Sequence, residues 1–372
     1  MSRARDIADF GLVSNRLDTV GGSSGALSNR NLFQNGACLI SQRGTSFPDA
    51  NGMTLDRFKV TRNGATRNVV TQENDGPTGF SKSLKVSPST ADTSLTGSDL
   101  SFIIINLEGQ DLQQLAYGTS GAKDLTMSFY AKSNLTGNIT VSNEVNLGPP
   151  FSSRYFTISS ANTWERHTLT WTGNPDTAID NDNTTGIEFQ MILAAGPNFS
   201  SGTYNEGWHT TGGDRVRSDN INLSSSTSNY FQITGLQIEV GDTATPFEHR
   251  SFGDQLKACQ RYFAKSYPYS TAIGATTGKA MVQTDFHENN QGAGYREKYD
   301  FQFPVEMRAS PTITQYDSAG TSGKANYYIT VSSTANHTVS IGNLNARCLG
   351  GYSDRSTTIG GWAFHYTADA EL

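Results

Sequence analysis

From residue 31 to about residue 250 the dominant pattern along the chain has a period of two. Leu125, Met127, Phe129 and Ala131 alternate with Thr126, Ser128 and Tyr130. Ile187, Phe189, Met191 and Leu193 make a second such run, and Leu236, Ile238 and Val240 a third. Shorter examples are Leu84 with Val86 and Leu169 with Trp171. Successive side chains of a strand point to opposite faces, so this alternation marks strands with one face on a core and one in water. Between the runs lie the turn-forming clusters NDGPTG, KSNLTGN, TGNPDTAIDNDNTTG and FSSGTYNEGWHTTGGD. Many short strands with such punctuation predict a β-sandwich in jelly-roll arrangement. The last two clusters exceed the length of about 12–15 residues beyond which a connection usually carries function.

The rhythm changes once. Phe252, Leu256, Cys259 and Phe263 fall four, three and four residues apart, the stripe of an amphipathic helix over 252–265 that packs on a sandwich. Alternation then resumes: Tyr299, Phe301 and Phe303, later Ile329 with Val331 and Val339 with Ile341, and finally Trp362, Phe364, Tyr366 and Ala368. The chain thus divides into three parts: an N-terminal segment over 1–30, a jelly-roll sandwich over 31–250, and a joining helix with a smaller C-terminal sandwich over 251–372. In the first part, Arg3, Arg5, Ile7 and Phe10 precede the Gly/Ser stretch GGSSGALSNR. A short charged segment on such a hinge cannot bury itself alone, which suits an attachment peptide; a frayed terminus is the other reading. The expected fold class is all-β.

Composition agrees. Of 372 residues, 35% are hydrophobic and only 17% charged, against about 25% charged in ordinary domains. Ser, Thr, Asn and Gly fill the gap, residues that favour turns over helices. A net charge of −6 leaves no basic footprint for nucleic acid. The longest apolar stretch, Phe102 to Ile105, is a strand's length, so no membrane insertion is expected. MSRARDIADFGLVSN lacks the hydrophobic segment of a secretory signal, and synthesis in a cytoplasm without standard export is expected. Cys38, Cys259 and Cys348 are widely spaced and odd in number, which predicts reduced thiols rather than a disulfide framework or zinc site.

Catalytic signatures are missing from the sequence: no Gly-x-Ser-x-Gly elbow, no His-Glu-x-x-His, no phosphate loop and no dinucleotide fingerprint. The chain reads as a non-enzyme without cofactor. Sugar binding by a sandwich needs a flat aromatic face beside amide or carboxylate groups. Tyr204, Glu206 and Trp208 supply that mixture on one glycine-flanked loop. Tyr267 and Tyr269 around Pro268 are a second candidate, and Tyr295 and Tyr352, each near an arginine, a third. Each set has another reading, as aromatics that plug a sandwich end or fill a subunit interface.

Several stretches resemble a known family. NLFQNGACLISQRGTSF, followed by Thr54-Leu55-Asp56-Arg57-Phe58, resembles the start of jelly-roll domains in bacteriophage tail-fibre and receptor-binding proteins. A tryptophan often precedes the Gln-Arg-Gly step there; here Ser41 stands in its place. GLQIEVGDTATPFEHRSFGDQLKACQRYF is similar to the end of the same domain, FPVEMRASPTIT resembles the terminal module of those fibres, and SRARDIAD resembles a segment of phage virion proteins. The resemblance implies a virion tail component, homotrimeric, made in the host cytoplasm. Its N-terminus would hold other tail proteins, and it would recognise a host surface glycan or outer-membrane receptor. A tail adaptor without host contact, and a polysaccharide depolymerase or its binding module, are alternatives. Related jelly rolls also hold a structural calcium ion, for which Glu239 and Asp242 with carbonyls near Asn35 would be the oxygen ligands; turn-forming acids are the other reading of that pair.

Overall fold

The computed structural model describes residues 29–64, 66–285, 296–329, 332–337, 340–342, 344–354 and 361–372. Arg3, Arg5, Ile7, Phe10 and Tyr295 lie outside them. The fold is all-β. The described chain falls into two compact units, the first holding 29–39, 45–54 and 58–250, the second 40–44, 55–57 and 251–372.

The first unit has twelve strands: β1 (Ser46–Phe47), β2 (Gly52–Met53), β3 (Lys59–Asn63), β4 (Arg67–Glu73), β5 (Ser83–Thr90), β6 (Leu100–Glu108), β7 (Leu125–Ser133), β8 (Gly137–Val145), β9 (Gly148–Ile158), β10 (Glu165–Trp171), β11 (Thr185–Ala195) and β12 (Phe231–Val240). They form two six-stranded sheets, β1-β4-β5-β12-β7-β10 and β2-β3-β6-β11-β8-β9, with antiparallel neighbours throughout. The alternating apolar residues meet between them. Phe129, Trp171, Phe189 and Phe231 are fully buried, and Trp171 meets Phe189 edge-on at 4.9 Å. Edge-to-face aromatic pairs of this kind stabilise beyond the area they bury. One glycine is required by the backbone: Gly235 sits at φ 64 where β12 is irregular against β7, and a Cβ there would come 2.8 Å from the Phe80 ring.

The second unit is organised by β21 (Gly361–Asp369), after β13 (Phe263–Lys265), β14 (Val282–Asp285), β15 (Arg296–Gln302), β16 (Thr312–Tyr316), β17 (Ala325–Ile329), β18 (Ser332–His337), β19 (Ser340–Gly342) and β20 (Cys348–Asp354). The C-terminal half of β21 pairs with β13 and β16, its N-terminal half with β14 and β17. Strands β15, β20 and β19 make a separate three-stranded sheet. Trp362, Phe364, Tyr366 and Ala368 share one core with Ala264, Phe303, Met307 and Leu349.

Two differences from the expected boundaries have physical causes. Helix α1 (Phe252–Gln260) is capped by Ser251, whose hydroxyl accepts from the Asp254 amide at 3.2 Å, and it ends before residue 265. Phe263–Lys265 instead hydrogen-bonds along β21, and sheet pairing wins over continuing the helix. The exposed Phe252 packs edge-on against Tyr269 at 5.1 Å.

The second difference concerns segments 40–44 and 55–57, which belong to the second unit and are tied to it by polar and charged side chains. The Gln42 amide groups donate to Asp56 at 2.6 Å and to the Phe263 carbonyl at 2.6 Å. Arg43 lies 3.7 Å over the Phe263 ring and pairs with Asp369 at 3.0 Å and Glu371 at 3.3 Å. Arg57 lies 3.4 Å over Tyr262 and pairs with Glu371 at 2.5 Å. Residues far apart in sequence therefore form one charge-compensated network, buried except at Asp369.

Candidate functional site

The second sheet of the first unit has an inner face on the core and an outer face partly covered by the chain between β11 and β12. Ile187, Phe189 and Met191 face the core, so Glu188, Gln190 and Ile192 lie on the other side of β11. The covering segment is held at several points. Its residue His209 exchanges backbone hydrogen bonds with Phe151 at 2.7 and 2.8 Å, and the Ile221 amide donates to the Asn138 carbonyl at 2.9 Å. Val216 inserts against Phe102, Ile104 and Ile192, burying an apolar patch that would otherwise face water.

Beside that patch runs a polar row fixed by register. Glu188 stands directly opposite Asn106 on β6 and Glu144 on β8, and Glu144 stands opposite Phe151 on β9. One step along, Gln190 is opposite Ser142, which is opposite Ser153. Gln190 Nε2 donates to Glu188 at 2.6 Å and to Glu144 at 3.0 Å. Arg215, from the covering segment, donates to Gln190 Oε1 at 2.6 Å and Ser142 Oγ at 3.2 Å, and its guanidinium lies 4.1 Å from the Phe151 ring centroid. Glu144, Gln190 and Glu188 are 8%, 7% and 6% exposed, so the row is covered but not sealed.

Burial is the first cause that pushes the Glu188 carboxyl up to about 7, and the neighbouring Glu144 adds to it. Like charges directly opposite on adjacent strands repel, and holding one proton between them relieves this. Burial also lowers the Arg215 guanidinium, against the pull of both glutamates.

At the rim, Tyr204 meets Tyr155 edge-on at 6.1 Å, and Arg217 lies 4.1 Å over Tyr155 and 5.5 Å over Tyr204. Asp219 holds Arg217 through two bonds of 2.7 and 2.8 Å. Burial, then Glu206, raises the Tyr204 hydroxyl above its ordinary range. Glu206 is exposed, and its carbonyl accepts from Ser152 Oγ at 2.8 Å and from Arg154. Trp208 is half-buried: its Nε1 donates to the Thr172 carbonyl at 2.9 Å and its ring meets Tyr117 edge-on at 6.0 Å. Its ring is thus held against its neighbours instead of standing free in the loop.

The other sequence candidates are placed differently. Tyr267 is 3% exposed and stacks on His365 at 3.8 Å in the second unit, an interior position that takes it out of a solvent-facing site. Tyr269 is half-buried, with its hydroxyl accepting from the Ser41 amide at 2.9 Å. Tyr352 lies on β20 opposite Lys298. Glu239 and Asp242 do not form a cation cage. Glu239 is buried and accepts from Gln237 Nε2 at 2.8 Å and from the amide and hydroxyl of Thr245, while Asp242 is exposed and accepts from Thr243 Oγ1 at 2.9 Å. Among the described residues no three or more His, Cys, Asp or Glu are grouped to hold a metal ion.

Sequence reasoning passed over Glu144, Ser142, Ser153, Glu188, Gln190 and Arg215. The alternation in β11 marked Glu188 and Gln190 as its second face, but nothing local showed that Glu144 stands opposite.

No family model matches the chain, and no curated protein does. Among solved structures, the enzymatically active domain of bacteriophage CBA120 tailspike protein 4 is similar over 56% of this chain, at 12% identity and a TM-score of 0.30; the match spans 21% of that chain. A family 11 carbohydrate-binding module from a cellulosomal cellulase of Clostridium thermocellum matches 55% of this chain and 98% of its own, at 10% identity and 0.28. A xylan-binding domain from Paenibacillus barcinonensis matches 54% and 94%, at 10% identity and 0.24. Scores this low describe outline only, and the functional reading of the face rests on its own residues.

Proposed function

We propose that this chain is a virion tail protein, a fibre or receptor-binding subunit, whose first unit binds a host surface glycan on the outer face of its second sheet. The observation that carries the binding role is the row of Glu188, Glu144, Gln190 and Ser142 beneath Arg215, bordered by Phe151 and the Tyr155–Tyr204 rim. Carboxylate, amide, hydroxyl and guanidinium groups converge there beside aromatic rings, the combination that orients a saccharide through its hydroxyls and its apolar ring face.

The geometry favours binding over hydrolysis. Glycoside hydrolysis uses carboxyl groups separated by about 5–5.5 Å or about 6.5–9.5 Å, with room between them for sugar or water. Glu144 and Glu188 are close enough to hydrogen-bond each other, and Gln190 bridges both. The virion setting, attachment through residues 1–30 and a homotrimer rest on the motif resemblance at the two ends and the Cys-Gln-Arg-Tyr joint.

A glycan array probed with the full chain tests the binding role. Bound spots are expected, and Gln190→Ala is expected to weaken them by roughly tenfold, the effect of losing about 1.4 kcal/mol of contacts, while the chain still folds. Silence across an array that includes bacterial surface oligosaccharides refutes the reading. Light scattering tests assembly: a mass near three times 40.2 kDa is expected, and a stable monomer at micromolar concentration overturns the trimer.

A further inference from the structure

We propose that the outer face of the second sheet selects uncharged saccharides and rejects uronate-bearing and sulfated ones, and that the opposed pair Glu144 and Glu188 sets this preference. The inference rests on the glycan-binding reading above and adds the ligand's charge class.

The charge inventory of the face carries it. Glu144 and Glu188 stand side by side across β8 and β11. Glu108, whose register places it beyond Asn106 on the same side of β6, adds a third buried carboxylate and is bonded by Gln110 Nε2 at 2.7 Å. Arg215, which reaches the pair through Gln190, is committed: its donors go to Gln190 and Ser142 and its flat face to Phe151. Lys59 enters from β3 opposite Ile104, two strands from Glu188 and three from Glu144 in the sheet order, and its charge reaches Glu188 from that far side. Arg217, at the rim, is closed by Asp219. An anionic sugar seated on the row would face the charge left on the one-proton pair and Glu108, with both nearby guanidiniums committed and Lys59 on the far side of Glu188, and charge repulsion in a covered, low-dielectric place is strong.

A second, independent feature asks for a ligand of hydroxyl chemistry. Ser153 is fully buried on the same face, beside Ser142, and its Oγ has no hydrogen-bond partner among the described residues. A buried hydroxyl without a partner is costly, and a sugar hydroxyl can satisfy it as donor or acceptor.

The experiment uses the full chain, its Glu144→Gln and Glu188→Gln variants and the double variant. An array carries matched neutral, uronate-bearing and sulfated oligosaccharides at neutral pH. The wild type is expected to bind neutral members and to bind acidic analogues at least about tenfold more weakly, as a carboxylate against an anion requires. Both glutamates belong to the binding row, so the double variant is read by ratio: the preference for neutral over uronate-bearing ligands is expected to shrink toward one, whatever the change in absolute affinity. If nothing on the array binds, the glycan-binding reading falls, and this inference with it. If the wild type binds acidic and neutral analogues alike, the charge-class inference alone is overturned. If discrimination survives unchanged in the double variant, the assignment to this pair is overturned. Ser153→Ala provides a measurement independent of the glutamates: it is expected to weaken the neutral ligand, and unchanged affinity removes Ser153 from the site.

Discussion

Replacing Glu188 by glutamine isolates the electrostatic tension on the outer face. The Glu188 carboxyl is raised from 4.5 to about 7, by burial first and by Glu144 next. Between those values the folded chain keeps a proton that the unfolded chain releases, so wild-type stability falls as pH rises through the window. Each pH unit between the two pKa values is worth about 1.4 kcal/mol, which sets the full effect at roughly 3 kcal/mol. Glutamine carries no proton to lose and still offers a donor to Glu144. The variant's stability relative to wild type is therefore expected to rise between about pH 4.5 and about pH 7 by on the order of 2–3 kcal/mol, then level off. Urea unfolding followed by tryptophan fluorescence measures it, because Trp164, Trp171 and Trp208 lie in the first unit. A difference that stays constant across that pH range refutes the idea that Glu188 is held protonated by its surroundings.

Three further outcomes follow from the packing. Arg57→Ala leaves the buried Glu371 carboxylate short of a partner and uncovers Tyr262, and is expected to destabilise the second unit by about 3 kcal/mol or more, measured by chemical denaturation. Glu371→Gln in the Arg57→Ala background is expected to recover part of that loss; additive losses in the double-mutant cycle would argue against the pair. Trp208→Phe removes the bond to the Thr172 carbonyl and is expected to cost about 1 kcal/mol, read by thermal unfolding, while leaving glycan affinity unchanged if the row around Gln190 is the site. Cys38 is fully buried and burial pushes its thiol up to about 12, so it is expected to resist alkylation at pH 8 in the folded chain and to react once urea unfolds it; fast labelling without denaturant would contradict its burial.

The alternation of apolar residues made the strands legible, because a half-buried sheet imposes its period directly on the residues of β7, β11, β12 and β21. What depends on pairing was not legible. The opposition of Glu144 and Glu188 is a property of register between strands more than 40 residues apart in sequence, and shifting either strand by one residue would dissolve it. Arg215 lies in a Gly- and Thr-rich stretch where no periodic signal points to any partner. The stripe that read as helix to residue 265 was cut at 260 by hydrogen bonds to β21, a tertiary preference that outweighs local spacing. Glu239 resembled a calcium ligand because acids near turns do, yet Thr245 uses its carboxylate to close the turn after β12. Tyr267 shows the same limit: an aromatic beside proline reads as a loop platform until the ring is seen stacked on His365.

The buried arginines of the second unit bear on how such chains can be cut, exchanged and synthesised. Arg43 and Arg57 are made early, but their carboxylate partners arrive only with Asp369 and Glu371. While the ribosome is still working through the intervening three hundred or so residues, both guanidiniums must stay in water. A graft that moves residues 251–372 alone between chains would leave them behind. The unit of exchange is the downstream block together with Gln42-Arg43 and Asp56-Arg57, and a donor carrying different residues at those four positions is expected to yield a hybrid that fails to close.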